Sequence, residues 1–214
     1  MSSNMFHHEE ILRGDGLRKR LSKHITICGA GALGSNLVDG MIRQGFSNIR
    51  VIDMDRVETH NIGTQTFETA DIGQLKATSV QNKAFRTTGI EIEAESKELK
   101  KGNIKKLFRG TDLVVDCFDN SASRQLIQDY CRKEGIKCLH AGMEGEYGEV
   151  AWDETYKVPD DGGEDNCDYP LARNLVMFIV AMTCEEIVDF CLESSPRLES
   201  HSFTLKDMAV RAYR

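Results

Sequence analysis

A glycine-rich segment near the N-terminus limits the folds available to this chain more than any other feature. It reads G-A-G-A-L-G, follows the β-branched run Ile25–Cys28 and precedes a stretch with helical periodicity. A G-x-G-x-x-G between a strand and a helix allows a tight turn, lets the backbone approach phosphate and packs the helix closely on the strand. The segment therefore predicts a Rossmann-type loop that binds nucleotide phosphates at a helix N-terminus. The candidate phosphate-binding residues are Gly29, Gly31, Ala32, Leu33 and Gly34.

Strand-like and helix-like segments alternate along the rest of the chain. Further predicted strands are Ile49–Ile52, Ile90–Ala94, Leu113–Cys117, Lys137–Ala141 and Gly148–Trp152, and Ser202–Tyr213 predicts two short strands or a hairpin. Predicted helices after the glycine loop are Leu37–Ile42, Leu75–Arg86, Ile104–Phe108, Ser121–Glu134 and Leu171–Leu192. We therefore expect one α/β domain over residues 1–214, with a Rossmann-like, mostly parallel sheet, helices on both faces and antiparallel strands toward the C-terminus.

Composition narrows the classes of partner. The formal net charge is −7, and an acidic surface repels phosphate backbones, so we expect no nucleic-acid partner. The longest apolar run, Leu175–Met182, is much shorter than a bilayer requires, so we expect no membrane partner. The seven cysteines include no C-x-x-C pair, which indicates reduced thiols in a cytoplasmic protein and no structural zinc. We expect Cys28, Cys117, Cys138 and Cys184 to lie in the core.

An aspartate at the end of the second predicted strand adds a second nucleotide signal. Asp53 lies nineteen residues after Gly34, where a carboxylate accepts hydrogen bonds from ribose hydroxyls. Together with the glycine loop, it indicates an adenine nucleotide. The two features do not distinguish ATP from NAD, so a nicotinamide-dependent oxidoreductase stays an alternative at this point.

The residues after Asp53 discriminate between these alternatives. They read D-M-D-R-V-E-T-H-N-I-G-T-Q over Asp53–Gln65, then G-Q-L-K over Gly73–Lys76 and V-V-D-C-F-D-N over Val114–Asn120. A glycine-bearing segment follows at Ala141–Val150. These motifs, in this order and spacing, resemble the ThiF/MoeB/HesA family, the ubiquitin-activating-type adenylating enzymes.

The resemblance implies roles for individual residues. Asp53 would hold the ribose, Asn61 and Gln65 would line the triphosphate, Lys76 would place a positive charge on the phosphates and Asp119 would coordinate Mg²⁺. The implied nucleotide-binding set also contains Asp55 and Asn120, and the implied catalytic set is Lys76, Asp119 and Cys167. Structural alternatives stay open for three of these sites: a solvated lysine at 76, a surface carboxylate at 55 and a helix cap at 119–120.

The implied activity is ATP-dependent adenylation of a C-terminal carboxylate. Its partner would be a small ubiquitin-like or sulfur-carrier protein, or a peptide, whose Gly-rich tail lies against Gly142–Gly148. Relatives form a thioester or persulfide on a cysteine in a comparable loop, which makes Cys167 a candidate nucleophile, although Asp165 and Asp168 would raise its pKa. The family also implies a homodimer. A variant of this hypothesis is that the chain resembles a tRNA-modifying member of the family, which acts on a small carboxylate.

The chain departs from the family pattern in ways that favour an alternative function. Thr64 stands where the pattern N-x-x-R-Q has an arginine that would help neutralise phosphate charge. Nearby basic residues that could replace that arginine are Arg13, Arg18, Lys19 and Arg20. Bacterial members often carry an N-terminal arginine that reaches the partner subunit's site, and Arg13 is the nearest match. The alternative is a catalytically inactive member that binds nucleotide or a partner.

Overall fold

The structure, a computed structural model, describes residues 4–14, 17, 21–160, 170–192 and 199–213. The described helices are α1 (His7–Arg13), α2 (Ala32–Gln44), α3 (Lys76–Thr88), α4 (Ile104–Leu107), α5 (Ser121–Glu134) and α6 (Arg173–Leu192). The strands are β1 (Ile25–Cys28), β2 (Ile49–Ile52), β3 (Glu93–Glu95), β4 (Leu113–Asp116), β5 (Lys137–Glu144), β6 (Tyr147–Trp152), β7 (Ser200–Thr204) and β8 (Ala209–Tyr213). Two short 3₁₀ helices span Thr59–Gly63 and Thr69–Asp71.

All eight strands form one sheet in the order β3-β2-β1-β4-β5-β6-β7-β8. The first five pair in parallel, and β6, β7 and β8 pair antiparallel. This confirms the predicted fold class. The strand order reverses between β1 and β4, and open α/β sheets bind ligands at such a reversal, beyond the carboxyl ends of the strands.

Helices cover both faces of the sheet because alternate strand residues point to opposite sides. Ile27 and Val115 belong to the larger core, which they share with α2, α3 and α6. Cys28 and Val114, one position along the same strands, belong to a smaller core with α4 and α5. β1 and β4 are therefore buried on both sides, as their continuous apolar runs indicate.

The apolar helix α6 packs inside the larger core. Leu175, Val176 and Ile179 are fully buried, whereas Met177 is 45% exposed. A Cβ built on Gly148 of β6 would lie 2.6 Å from the Ile179 side chain, so the absent side chain at 148 lets α6 sit close to the sheet. Within the described residues, no helix has both the length and the apolar content needed to cross a bilayer.

Predicted element bounds differ from the observed ones by a few residues. β3 covers Glu93–Glu95 rather than Ile90–Ala94, because the buried Ile90 and Ile92 precede the segment that pairs with β2. β5 continues to Glu144, since its end pairs with β6 in a hairpin. The predicted C-terminal hairpin is confirmed as β7 and β8.

Candidate active site

The glycine loop between β1 and α2 can take its observed shape only with glycine at two positions. Gly29 has a φ of 98°, and a Cβ there would approach the Cys117 carbonyl oxygen to 3.0 Å. A Cβ on Gly34 would lie 1.9 Å from the Gly29 carbonyl oxygen, which is a backbone clash. Gly31, by contrast, faces open space with no atom within 4 Å of its virtual Cβ. Gly29 and Gly34 therefore pack tightly against protein backbone, whereas Gly31 faces the open side from which a ligand would approach.

Asp53 fastens the glycine loop to the end of β2. Its Oδ2 accepts the backbone N–H of Ala30 at 2.6 Å, and its Oδ1 accepts that of Asp55 at 2.8 Å. Burial raises the pKa of this carboxyl, against the lowering effect of the bond from Ala30. Asp53 thus has a structural task besides its predicted contact with ribose.

Lys76 occupies the first position of α3, at an end of the helix where the macrodipole disfavours a cation. Its side chain is only 12% exposed, and its Nζ lies 3.2 Å from Oδ2 of Asp55. The Lys76 backbone N–H also donates to the Asp55 carbonyl at 2.8 Å. A cation held in this position needs an anion nearby, and in this structure Asp55 provides it.

One crevice at the carboxyl edge of the sheet collects most of the predicted site. It is lined by Gly29, Gly31, Asp53, Asp55, Lys76, Asp119 and Asn120. Its volume is about 120 Å³. Sites that enclose small molecules typically measure about 300–1,000 Å³, so a nucleotide bound here would extend into the open space before Gly31. Among the described residues, no cluster of three or more potential metal ligands is found. A Mg²⁺ site does not require such a cluster, because a single protein carboxylate can hold the ion while phosphate and water supply its remaining oxygen ligands.

The crevice has further walls that sequence reasoning missed. They are Met54, Lys97, Glu98, Leu99, Cys117, Phe118 and Ser123. Lys97 and Leu99 follow β3, so the rule that ligands bind beyond strand ends could have identified them if the end of β3 had been predicted correctly. Phe118 lies between two motif residues and carried no sequence signal of its own.

Five predicted ligands do not line the crevice, and Gly34, which packs against the Gly29 carbonyl, is one of them. Asn61 is buried, where its Oδ1 accepts the Glu58 N–H at 2.9 Å and its carbonyl accepts the Gln65 N–H at 2.9 Å, so it holds the 3₁₀ turn together. The Oε1 atom of Gln65 is buried and, in the described part of the chain, accepts no hydrogen bond. Ala32 and Leu33 belong to the first turn of α2, and the Leu33 side chain is in the core.

Asn120 is the N-cap of α5. Its Oδ1 accepts the Ser123 N–H at 2.9 Å, which is the cap geometry that the sequence left open as an alternative. The preceding residue, Asp119, also lines the crevice.

Five cysteines of the described residues have raised pKa values, which makes them poor nucleophiles. Burial raises the pKa of Cys28, Cys117 and Cys138, and raises that of Cys184 to about 12 and that of Cys191 to about 11. The core location expected for Cys117 is wrong in part, since this residue is half-buried and lines the crevice because β4 ends one residue before it. Cys167 and its neighbours Asp165 and Asp168 lie outside the described residues.

Arg13 forms ion pairs away from the crevice and does not line it in this structure. Its guanidinium pairs with Glu9 and with Glu185 of α6, both at 2.8 Å. Its predicted role as a replacement for the missing arginine is therefore not supported by its position. The other candidates, Arg18, Lys19 and Arg20, lie outside the described ranges.

A buried polar network connects β4, β5 and the segment after β6. His140 Nδ1 is 2.9 Å from Oδ2 of Asp116, and His140 Nε2 is 3.4 Å from Oδ1 of Asp153. The His140 ring stacks on Tyr156, whose hydroxyl accepts from Arg124 at 2.7 Å. Burial lowers the pKa of His140, but the hydrogen bonds to the two carboxylates outweigh it and raise the pKa above its ordinary value.

This raised pKa makes the stability contribution of His140 pH-dependent. The contribution is complete below the unfolded-state pKa, about 6.5, and is lost as pH rises through the folded-state pKa. Urea unfolding at pH 5.5 and 8.5 should show His140→Gln less stable than the wild type by about 2 kcal/mol at the lower pH and by less at the higher. The exposed His60→Gln serves as a control. A stability difference that is the same at both pH values would contradict the assignment.

Comparisons with known proteins bear on the family and the fold of the chain. The ThiF family model matches residues 3–202. The SAMP-activating enzyme E1 of Haloferax volcanii is 32% identical over 162 residues, which are 74% of this chain and 57% of that protein. The sulfur carrier protein ThiS adenylyltransferase of Bacillus subtilis is 28% identical over 137 residues, 62% of this chain and 41% of that protein.

A solved structure supports the fold. E. coli MccB with MccA-N7isoASN matches with a TM-score of 0.84 at 15% sequence identity, over 100% of this chain and 72% of that one. At this identity the likeness shows the fold alone. The chain spans about half the length of the two curated relatives above.

Proposed function

This chain belongs to the ThiF family, and on that premise we propose that it is an ATP-dependent adenylyltransferase. Its substrate is the C-terminal carboxylate of a small ubiquitin-like or sulfur-carrier protein, or of a peptide. A carboxylate oxygen attacks the α-phosphorus of ATP and forms a new O–P bond. The bond from that phosphorus to the bridging oxygen breaks, its electron pair leaves with pyrophosphate, and an acyl-adenylate results.

The observation that carries the proposal is the meeting of three features in one crevice. The glycine loop is open at Gly31 to an approaching ligand. Lys76 lines the same crevice as a partly buried cation, and Asp119 lines it as well. Helix N–H groups and Lys76 would bind and orient the phosphates, and catalysis would come mainly from alignment and charge stabilisation. Asp119 would hold Mg²⁺, which neutralises phosphate charge when bound. This donor set fits a magnesium-bound triphosphate.

The partner's tail belongs to the same proposal. The tip of the β5–β6 hairpin, residues 142–148, contains three glycines in its turn and strand ends, and the Arg124 guanidinium lies 3.4 Å from the virtual Cβ of Gly142. A Gly-rich tail carries no side chains of its own, which allows it a close approach to the backbone of the hairpin. We further propose a homodimer, on the strength of the family resemblance.

A second step at Cys167 extends the proposal. Its thiolate would attack the acyl carbon of the adenylate, forming a C–S bond while the C–O bond to phosphate breaks and AMP leaves. Support for this step comes from the family resemblance and from the poor reactivity expected of the buried cysteines described above.

The experiment is ATP–pyrophosphate exchange in the presence of candidate carrier proteins and of peptides that end in Gly-Gly. We expect exchange that depends on Mg²⁺ and on a free C-terminal carboxylate. The matched control is the same peptide with an amidated C-terminus, which removes the nucleophile and should abolish exchange.

Two results would contradict the proposed enzyme. Mg·ATP binding without exchange from any carboxylate tested would favour the inactive family member, for which Thr64 at the arginine position is the supporting observation. Calorimetry that shows NAD(H) binding more tightly than ATP would instead favour an oxidoreductase.

A further inference from the structure

Arg173 is a cation that the sequence motifs did not identify and that lies beside one of them. It is the first residue of α6, and its side chain is exposed. Its Nη1 donates to the carbonyl oxygen of Thr64 at 2.9 Å. Thr64 occupies the position where the family pattern has an arginine. A guanidinium from a distant part of the chain therefore lies against the backbone at the position where the local sequence lacks an arginine.

Hydrogen bonds connect this guanidinium to the glycine loop. The carbonyl of Thr64 also accepts from Nδ2 of Asn36 at 2.8 Å, and the same Nδ2 donates to the carbonyl of Ala32 at 2.7 Å. Asn36 and Ala32 both belong to the N-terminal turns of α2. Arg173 is thus attached to the helix end where phosphate is expected.

The electrostatic setting of Arg173 differs from that of most other arginines. Across the described ranges, several arginines pair with carboxylates, namely Arg13 with Glu9 and Glu185, Arg43 with Asp39, Arg50 with Glu93, Arg132 with Asp153 and Arg211 with Asp207. For Arg173, the bond to Thr64 is the contact that the described residues provide. A cation in the first turn of a helix opposes the macrodipole, so an anion bound nearby would stabilise it.

We infer that Arg173 contacts the polyphosphate of bound ATP and supplies the positive charge that Thr64 does not. The inference rests on the proposed function, because it names a further phosphate-binding residue of the same site. A guanidinium carries five N–H donors in a planar fork. One donor is used on Thr64, which leaves four for phosphate oxygens, the kind of anion for which arginine is well suited.

Binding is the first test, since it does not require turnover. Calorimetric titration of the full chain with Mg·ATP and with adenosine should show that Arg173→Ala weakens ATP binding by about tenfold and leaves adenosine binding unchanged. The matched control is Arg43→Ala, which removes an exposed arginine paired with Asp39 on α2 and should change neither affinity.

Exchange activity provides the second test. Arg173→Ala should lower the rate of ATP–pyrophosphate exchange by about 10- to 100-fold, and Arg173→Lys should retain part of it. Adding Thr64→Arg to the Arg173→Ala variant should restore exchange, because it returns a guanidinium to the same place from the neighbouring position. A merely structural role of Arg173 would not produce this rescue.

The outcomes separate this inference from the proposed function. A wild type that exchanges, with an Arg173→Ala variant that exchanges equally well and keeps its ATP affinity, overturns the inference alone. Equal losses of ATP and adenosine affinity, without rescue by Thr64→Arg, would show a structural role and also overturn it. A wild type that binds no ATP contradicts both. A selective loss of ATP affinity supports the inference even in a protein without turnover.

Discussion

Replacing Lys76 by methionine is expected to lower the rate of ATP–pyrophosphate exchange by about 10²- to 10³-fold. Methionine keeps the length and apolar stem of lysine but removes the charge that lies 3.2 Å from Asp55. The loss should appear in kcat as well as in ATP affinity, because charge shifts onto the leaving pyrophosphate as the reaction proceeds. Folding should be nearly unaffected, since an ion pair to the half-exposed Asp55 contributes little to stability.

The control for the Lys76→Met variant is the same substitution at a lysine that does not line the crevice. Lys133→Met removes a 78% exposed lysine at the end of α5 and should leave exchange within about twofold of the wild type. A Lys76→Met variant that exchanges as fast as the Lys133→Met variant would mean that Lys76 is an ordinary surface lysine. Exchange would then depend on some other cation.

The second large effect is expected from Gly34→Ala. The added methyl group would lie 1.9 Å from the carbonyl oxygen of Gly29, and both groups belong to backbone that the core holds in place. Overpacking of this kind costs about 3 kcal/mol, which for a chain of this size lowers Tm by about 10 °C. Thermal unfolding followed by circular dichroism measures the change.

Gly31→Ala is the matched variant for Gly34→Ala, because it adds the same methyl group three residues earlier in the chain. Nothing lies within 4 Å of that position, and its φ of −77° suits any residue, so Tm should change little. Its ATP affinity should fall, because the methyl group fills the space where phosphate approaches the backbone. If Gly34→Ala unfolds at the wild-type temperature, or Gly31→Ala binds ATP normally, the assignment of the two glycines is wrong.

Sequence reasoning was most reliable where structure depends on neighbouring residues. β1 and α5 have the predicted bounds because a β-branched run and an Asn cap act locally. The glycine loop was predicted equally well, because each glycine meets a backbone requirement that arises within the same βα unit. Local signals therefore predicted the fold class and the position of the crevice.

The parts that sequence could not supply depend on contacts between distant elements. Arg173 approaches Thr64 only because α6 packs beside α2 in the folded chain, a separation of more than a hundred residues. Asn61 is predicted to line the triphosphate, yet its side chain is used inside the 3₁₀ turn, which a motif does not reveal. The bounds of β3 were misplaced because burial of Ile90 and Ile92 does not require strand pairing.

The central claim is that the crevice binds a magnesium-bound triphosphate between Lys76 and Asp119. Its most direct test is a crystal structure of the full chain with Mg²⁺ and a non-hydrolysable ATP analogue. We predict that Nζ of Lys76 donates to a phosphate oxygen, that Asp119 lies in the coordination sphere of the metal and that the phosphates face Gly31. A nucleotide bound with Lys76 and Asp119 both turned away from its phosphates, or bound outside the crevice, would contradict the claim.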